Sequence, residues 1–272
     1  MSEWIENRPT RGWRALDLAE AWRYRHLIAT FARRDVTVRY RQAFLGAAWA
    51  ALLPLSGAVI FTIAFSRLAG IQTGATPYLL FAFAGWAGWT YFAGALQACS
   101  GALVRNATLV TKVWFPRLAA PLAALLPGLA DLAVGLLVLV PLCVYYGVTP
   151  GLAILAAPGA ILLLAATALG VGLALGTLHV RYRDVGHAIG LLVQLWLFAS
   201  PVAYPSTLVD PDLRWVYYLN PVAGALDLLR AALLDAPGPG APIVASVGVA
   251  IVLVLLGAAV FARGERRFAD II

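Results

Sequence analysis

The stretch Arg33-Arg34-Asp35-Val36-Thr37-Val38-Arg39-Tyr40-Arg41-Gln42-Ala43-Phe44-Leu45-Gly46-Ala47-Ala48-Trp49, running on to Pro54, decides how the whole chain is read. Before it the sequence is polar and rich in arginine. After it apolar residues run almost unbroken. Charge stops at Arg41 and resumes only at Arg67. At about 1.5 Å per helical residue, the uncharged interval 42–66 is long enough to cross a hydrocarbon core of about 30 Å.

Outward from there the crossing repeats. Apolar runs at about 43–66, 78–103, 118–146, 152–178, 186–203 and 241–262 predict six membrane-spanning helices. The third contains Pro121, Pro127 and Pro141, so tilt or kinks are expected. Composition agrees. Of 272 residues 62% are hydrophobic and 12% charged, against about 25% charged in a soluble domain. Mean hydropathy is +0.83. The fold class is therefore an all-α integral membrane protein. Residues 1–42 form an arm, 43–262 the membrane domain and 263–272 a tail. No secretory signal is expected at the start, because the first 45 residues are polar and the first apolar run is too long.

The cations orient the chain. The arm carries nine arginines, and Arg105, Lys112, Arg117, Arg181, Arg183, Arg263, Arg266 and Arg267 fall on the same side of six crossings. Only Arg67, Arg214 and Arg230 fall on the other. The positive-inside rule puts the rich side, with both termini, in the cytoplasm. The net charge of +7 is thus a topology signal, and nucleic acid is not an expected partner. Cys99 and Cys143 sit at opposite ends of successive spans, too far apart to pair. From Trp13 onward the arm has a helical face through Leu16, Trp22, Leu27 and Phe31. That face, with its arginines, suits either a helix in the anionic inner interface or a solvated arm.

Soluble catalytic motifs are missing. The single lysine, Lys112, has no glycine cradle before it, and neither H-E-x-x-H nor G-x-S-x-G occurs. His26, His179 and His187 are scattered, so no metal site is expected. If ATP powers this protein, another chain hydrolyses it.

Four features carry what chemistry there is. The loop from Arg105 to Arg117 is short and amphipathic. Asn106 is placed to cap a helical turn and Pro116 to end it. Apolar Leu109, Val113 and Phe115 need cover from lipid or a partner, unless this is a simple basic loop. On the second span Tyr78, Phe81, Trp86, Trp89 and Phe92 fall within an arc of about 140°. They face either lipid or an aromatic-lined passage. Asp131 lies mid-span, where a carboxylate is costly, so it faces the bundle or a cavity; Thr167 and Gln194 are candidate partners. Residues 205–240 are broken by prolines and only moderately apolar, which fits two short helices dipping into the outer leaflet. Small-residue pairs Gly172/Gly176 and Gly186/Gly190 would let helices approach closely.

These features, in this order, resemble the membrane subunits of type-2 ABC exporters, in the branch that exports bacterial polysaccharides and O-antigens. The matching pieces are Trp22-Arg-Tyr24-Arg25, Arg34-Asp35 through Arg39-Tyr40-Arg41-Gln42, Leu45-Gly46 to Trp49, and Pro77-Tyr78. They continue with Asn106 to Phe115-Pro116-Arg117, Arg183-Asp184-Val185, Ser200-Pro201 to Tyr204, Asn220-Pro221, Arg230, and the ending Glu265 to Ile271.

The resemblance implies a homodimer with two copies of a separate ABC ATPase docked beneath it. This chain would bind no cofactor, ATP and Mg2+ sitting on the partner. Arg105, Asn106, Leu109, Lys112, Val113, Phe115 and Pro116 would couple to the ATPase. Trp22, Arg25, Arg34, Asp35, Arg39, Tyr40 and Arg41 would belong to an interfacial helix among bilayer lipids. Tyr204, Trp215, Tyr218, Asn220 and Arg230 would belong to paired re-entrant periplasmic helices between spans five and six. The substrate would be a glycan on an undecaprenyl-diphosphate carrier, crossing the bacterial inner membrane through a channel between two copies. The aromatic stripe would offer its sugar rings flat contact. Alternative readings are a type-2 exporter of small hydrophobic molecules or drugs, and a membrane-embedded transferase; the second would need clustered polar residues that the sequence lacks.

Overall fold

The computed structural model describes residues 23–41, 48–112 and 115–271. Expectations placed on Trp13, Leu16, Trp22, Gln42, Leu45, Gly46 and Val113, and on the side chains of Arg266, Arg267 and Asp270, lie outside the described residues. Among the described residues all regular structure is helical. In chain order there are α1 (Arg25–Tyr40), α2 (Ala48–Phe61), α3 (Tyr78–Ser100), α4 (Ala102–Arg105), α5 (Ala107–Lys112) and α6 (Ala119–Tyr146). Then come α7 (Ala157–Arg181), α8 (Val185–Phe198), α9 (Arg214–Tyr217), α10 (Pro221–Leu234) and α11 (Ile243–Ile271).

Five helical stretches are long and apolar enough to cross a membrane: Ala48–Leu68, Tyr78–Ser100, Ala119–Tyr146, Leu152–Arg181 and Ile243–Glu265. The expected span 186–203 differs. Its helix, α8, stops at Phe198 after 14 residues, about 21 Å of rise. Pro201 accounts for the early stop, since it has no N–H to give and crowds the residue before it. The last helix also differs from expectation. It runs through Ile271, so residues 263–271 extend α11 rather than leave it as a separate tail.

Helix α3 is the hub, with 16 of its 23 residues buried. Its glycines seat its neighbours. A Cβ at Gly88 would come within 2.7 Å of Leu226 Cδ2 and 3.0 Å of Leu229 Cδ2, both on α10. Helix α7 packs against α3 through Gly172 and Gly176, where added Cβ atoms would meet Cys99 Sγ at 2.7 Å and the Ser100 backbone at 3.1 Å. On its other side α7 crosses α11 backbone to backbone: a Cβ at Gly257 would lie 1.9 Å from the Gly170 carbonyl oxygen. Gly172/Gly176 therefore do what small pairs do in membranes. Gly190 does not, because a Cβ there meets nothing within 4 Å.

Helix α6 is unbroken through Pro127 and Pro141 and is capped by Gly147 at φ 69°. Its 28 residues rise about 42 Å, more than a bilayer core, so it must tilt or protrude. Helix α2 is held loosely by comparison, leaving Trp49, Leu53 and Ile60 half or more exposed.

Candidate functional site

The arginine-rich end is built on α1. Its Leu27, Ile28, Phe31 and Ala32 share one face at helical spacing and turn inward, while Arg25, Arg33, Arg34, Arg39 and Arg41 stay exposed. Phe31 meets Phe115 edge-on, ring centres 5.7 Å apart. Arg34 donates from Nη2 to Asn106 Oδ1 at 2.9 Å and pairs with Asp35 at 2.8 Å. The arm is thus fastened to the 105–117 segment, a contact no local reading could show.

That segment folds as α4, α5 and a turn into α6. Asn106 immediately precedes α5, but its side chain does not act as the expected cap. Its oxygen is taken by Arg34 and its Nδ2 donates to the Ala102 carbonyl at 2.8 Å. Phe115 is 7% exposed and Leu109 half-buried against the same apolar cluster. The protomer itself therefore covers Phe115, so it does not wait for a partner. The Pro116 carbonyl accepts from the Ala119 N–H at 2.9 Å, starting α6. Arg117 donates to the Glu265 carbonyl of α11. What α5 turns outward is polar: Thr108, Thr111 and Lys112. Arg105 donates from Nη2 to the Ala98 carbonyl at 2.5 Å, and partial desolvation draws its pKa below the usual arginine value.

Twelve residues into α6, Asp131 is held from the arm. Arg39 forms an ion pair with Oδ2 and the Tyr40 hydroxyl donates to Oδ1. The expected partners are elsewhere: Thr167 donates back to the Leu163 carbonyl of its own helix, and Gln194 is exposed. Desolvation, and then the bond to Asp131, pushes the Tyr40 phenol up to about 12. Arg39, Tyr40 and Asp131 line one end of a cavity of about 300 Å³ between α1, α2, α3 and α6. Tyr91 also lines it, and its buried hydroxyl has no hydrogen-bond partner among the described residues.

The aromatic stripe on α3 turns into the protomer, which corrects its reading as a channel wall. Tyr78, Phe81, Trp89 and Phe92 are 0–8% exposed. Tyr78 donates to the Ala203 carbonyl. Phe92 meets Trp196 of α8 edge-on at 5.1 Å. Trp86 is half-buried against Phe61 of α2 at 4.7 Å, over the space left by Gly57. Helical spacing correctly grouped these rings on one face; the neighbours of that face turn out to be α2, α8 and α10.

At the other end, α10 lies buried against α3 and α7. Asn220 starts it and satisfies every group it has. Its Oδ1 accepts from the Val222 N–H at 3.1 Å and from Trp196 Nε1 at 2.9 Å, and its Nδ2 donates to the Ala199 carbonyl and Ser200 Oγ, both at 3.0 Å. Pro221 follows at the position where a helix tolerates it best. Arg230 is 1% exposed. It pairs with Asp227 at 3.3 Å, donates to the Phe81 and Val202 carbonyls at 3.1 and 3.0 Å, and lies 3.6 Å above the Phe81 ring. The Tyr218 hydroxyl donates to Asp227 at 2.8 Å. A Cβ at Gly85 would meet Arg230 Nη2 at 2.0 Å, so that glycine makes the arginine's room. Tyr204 bonds the Phe198 carbonyl at 3.1 Å, and Trp215 is 54% exposed. Sequence reasoning passed over Asp227. Its three-residue spacing from Arg230 was the available signal.

Among the described residues no group of His, Cys, Asp or Glu could hold a metal. The profile of the ABC-2 type transporter family matches residues 26–234. The chain is similar to the O-antigen export system permease protein RfbA of Myxococcus xanthus, 28% identical over 92% of this chain and 97% of the relative. Two proteins of the same name from Klebsiella pneumoniae are 27% and 25% identical, each over 90% of this chain and 95% of the relative.

Proposed function

This chain belongs to the ABC-2 type transporter family, and from that premise we propose that it is the permease of an ATP-driven O-antigen exporter. What supports the substrate class is the full-length likeness to three O-antigen export permeases. The glycan would travel on an undecaprenyl-diphosphate carrier. Two copies would form the passage, with α8 as one wall: Leu191, Leu195 and Phe198 recur at helical spacing and are 59–69% exposed. The arginine-rich end would face the cytoplasm of a bacterial inner membrane, with a separate ATPase docked on it.

The observation that carries the mechanism is the fastening of α1. Thr108, Thr111 and Lys112 offer the ATPase a polar face. Behind that face, Phe115 and Asn106 hold Phe31 and Arg34, and the same helix ends on Asp131 within α6. A push on α5 thereby reaches the middle of the bundle through one rigid element. ATP and its Mg2+ stay on the partner, and this chain contributes no catalytic residue.

The test is a strain lacking this gene. Carrier-linked polysaccharide trapped inside, with the surface bare, is the expected result, and the trapped polymer identifies the sugar. A normal surface with nothing trapped would overturn the reading in favour of a small-molecule exporter.

A further inference from the structure

Beyond Ala262 helix α11 turns polar, in the run Arg263-Gly264-Glu265-Arg266-Arg267-Phe268-Ala269-Asp270. Chain ends stay loose unless something ties them down, and this one is tied. Its one large apolar side chain, Phe268, is 2% exposed. Phe268 meets Phe261 edge-on at 5.3 Å and shares a buried cluster with Val110 and Phe115. Gly264 lets the helix lie close to α7, since a Cβ there would collide with Thr177 Cγ2. That contact repeats the Gly257–Gly170 crossing seven residues further along both helices, so the same seam runs on past the apolar span.

The extension reaches the segment that the export reading places beneath the ATPase. Helix α5 has six residues, too few to hold a direction by its own hydrogen bonds, and Pro116 separates it from α6. Side-chain contacts hold the segment instead. At its start Arg34 of α1 donates to the Asn106 oxygen. At its far end Arg117 donates to the Glu265 carbonyl of α11. Between them Val110 is buried in the cluster that includes Phe268, and α11 touches α5 directly. The hold through α1 leads to α6 by way of Asp131. The hold through α11 leads along the glycine seam to α7.

We propose that residues 264–271 of α11 are a brace for ATP coupling, with Phe268 as the positioning residue. Held by the brace, the 105–117 segment passes a push to α7 and α11 as well as to α6. Without it α5 would swing on Pro116 and absorb the push. The inference rests on the export reading for the ATPase docked on α5, while the brace itself is a property of this chain alone.

The experiment compares Phe268→Ala, Phe268→Leu and Arg117→Gln with the wild type, each as the full chain. Hydrogen exchange on the purified permease in lipid nanodiscs reads residues 107–112 against α8. Phe268→Ala should speed exchange in 107–112 about tenfold and leave α8 unchanged. Phe268→Leu, which refills most of the space, should restore the slow exchange. Arg117→Gln leaves Phe268 in place and should give an intermediate rate, which keeps the brace testable if Phe268→Ala fails to fold. In the deletion strain complemented with the same variants, Phe268→Ala should lower surface polysaccharide about tenfold, while the ATPase co-purified with the permease goes on hydrolysing ATP; Phe268→Leu should restore export. Unchanged exchange in 107–112 overturns the brace. Exchange raised equally in α8 overturns it too, because Phe268 then serves only the stability of the fold. Wild-type export with a loosened α5 overturns the coupling role. Exchange is read on the permease alone, so a negative result leaves the export reading standing, and a normal surface in the deletion strain sinks that reading without touching the exchange result.

Discussion

The protomer contains two aspartate–arginine pairs at depth, and they are built for opposite purposes. Asp227–Arg230 sits within one helix, with side chains 5% and 2% exposed. The groups around it come from α3, α10 and the chain segments on either side of α9. Asp131–Arg39 joins residues 92 positions apart, with side chains 27% and 44% exposed, and its neighbour is a cavity. A pair sealed from water is strong only while complete, because losing one partner strands a charge. A pair that water can reach is weak in either state and so can open without large cost. The sealed pair is a fixture of the fold, and the open pair is a joint.

The largest predicted effect tests the fixture. Arg230→Ala should cost about 3–5 kcal/mol, read as lost folded protein on purification and as an earlier transition in denaturant. If it is tolerated, Asp227 is not stranded and the contrast disappears. Next, Asp227→Leu combined with Arg230→Met should recover most of that loss in the same unfolding assay, because an apolar pair of similar size removes both charges together. A double variant as unstable as the single one would mean that the carbonyl bonds of Arg230, not its charge, hold α10.

The joint is probed by smaller changes. Asp131→Asn should lower stability by about 1 kcal/mol or less, yet speed hydrogen exchange in α1 relative to α3. Equal exchange would show that Phe31 and Arg34 hold the arm unaided. The smallest effect is a pH dependence. The folded Tyr40 phenol is raised from 10.0 to about 12. Its contribution to docking is therefore complete below pH 10 and is lost as pH climbs through 12. An alkaline loosening of α1 in that window should vanish in Tyr40→Phe, and a step that persists would belong to another group.

Much of the architecture was legible because hydropathy repeats on the scale of a bilayer. The fifth apolar run forms a shorter helix than its length predicts, because Ser200-Pro201 ends α8 at Phe198. Periodicity also grouped Tyr78, Phe81, Trp89 and Phe92 correctly but could not say what covers them, since a helix face is a direction and its neighbour is a matter of topology. Asp131 announced itself by depth. Its partners did not, because Arg39 and Tyr40 are distant in sequence and were already accounted for as interfacial cations and aromatics. Arg230 reads from sequence as an outer-side charge on the periplasmic helices, and its burial appears only once α3 and α10 pack together. The amphipathic 105–117 loop stands out in composition, while Phe115 needs the packed arm to show that it points inward.

The glycine at 85 has a consequence in evolutionary terms. Any side chain there collides with the guanidinium of Arg230 at 2.0 Å, and giving up that arginine first leaves Asp227 without a counter-charge. Either single step taken alone costs stability. Gly85, Asp227 and Arg230 should therefore be inherited as one unit, changing together between lineages or not at all.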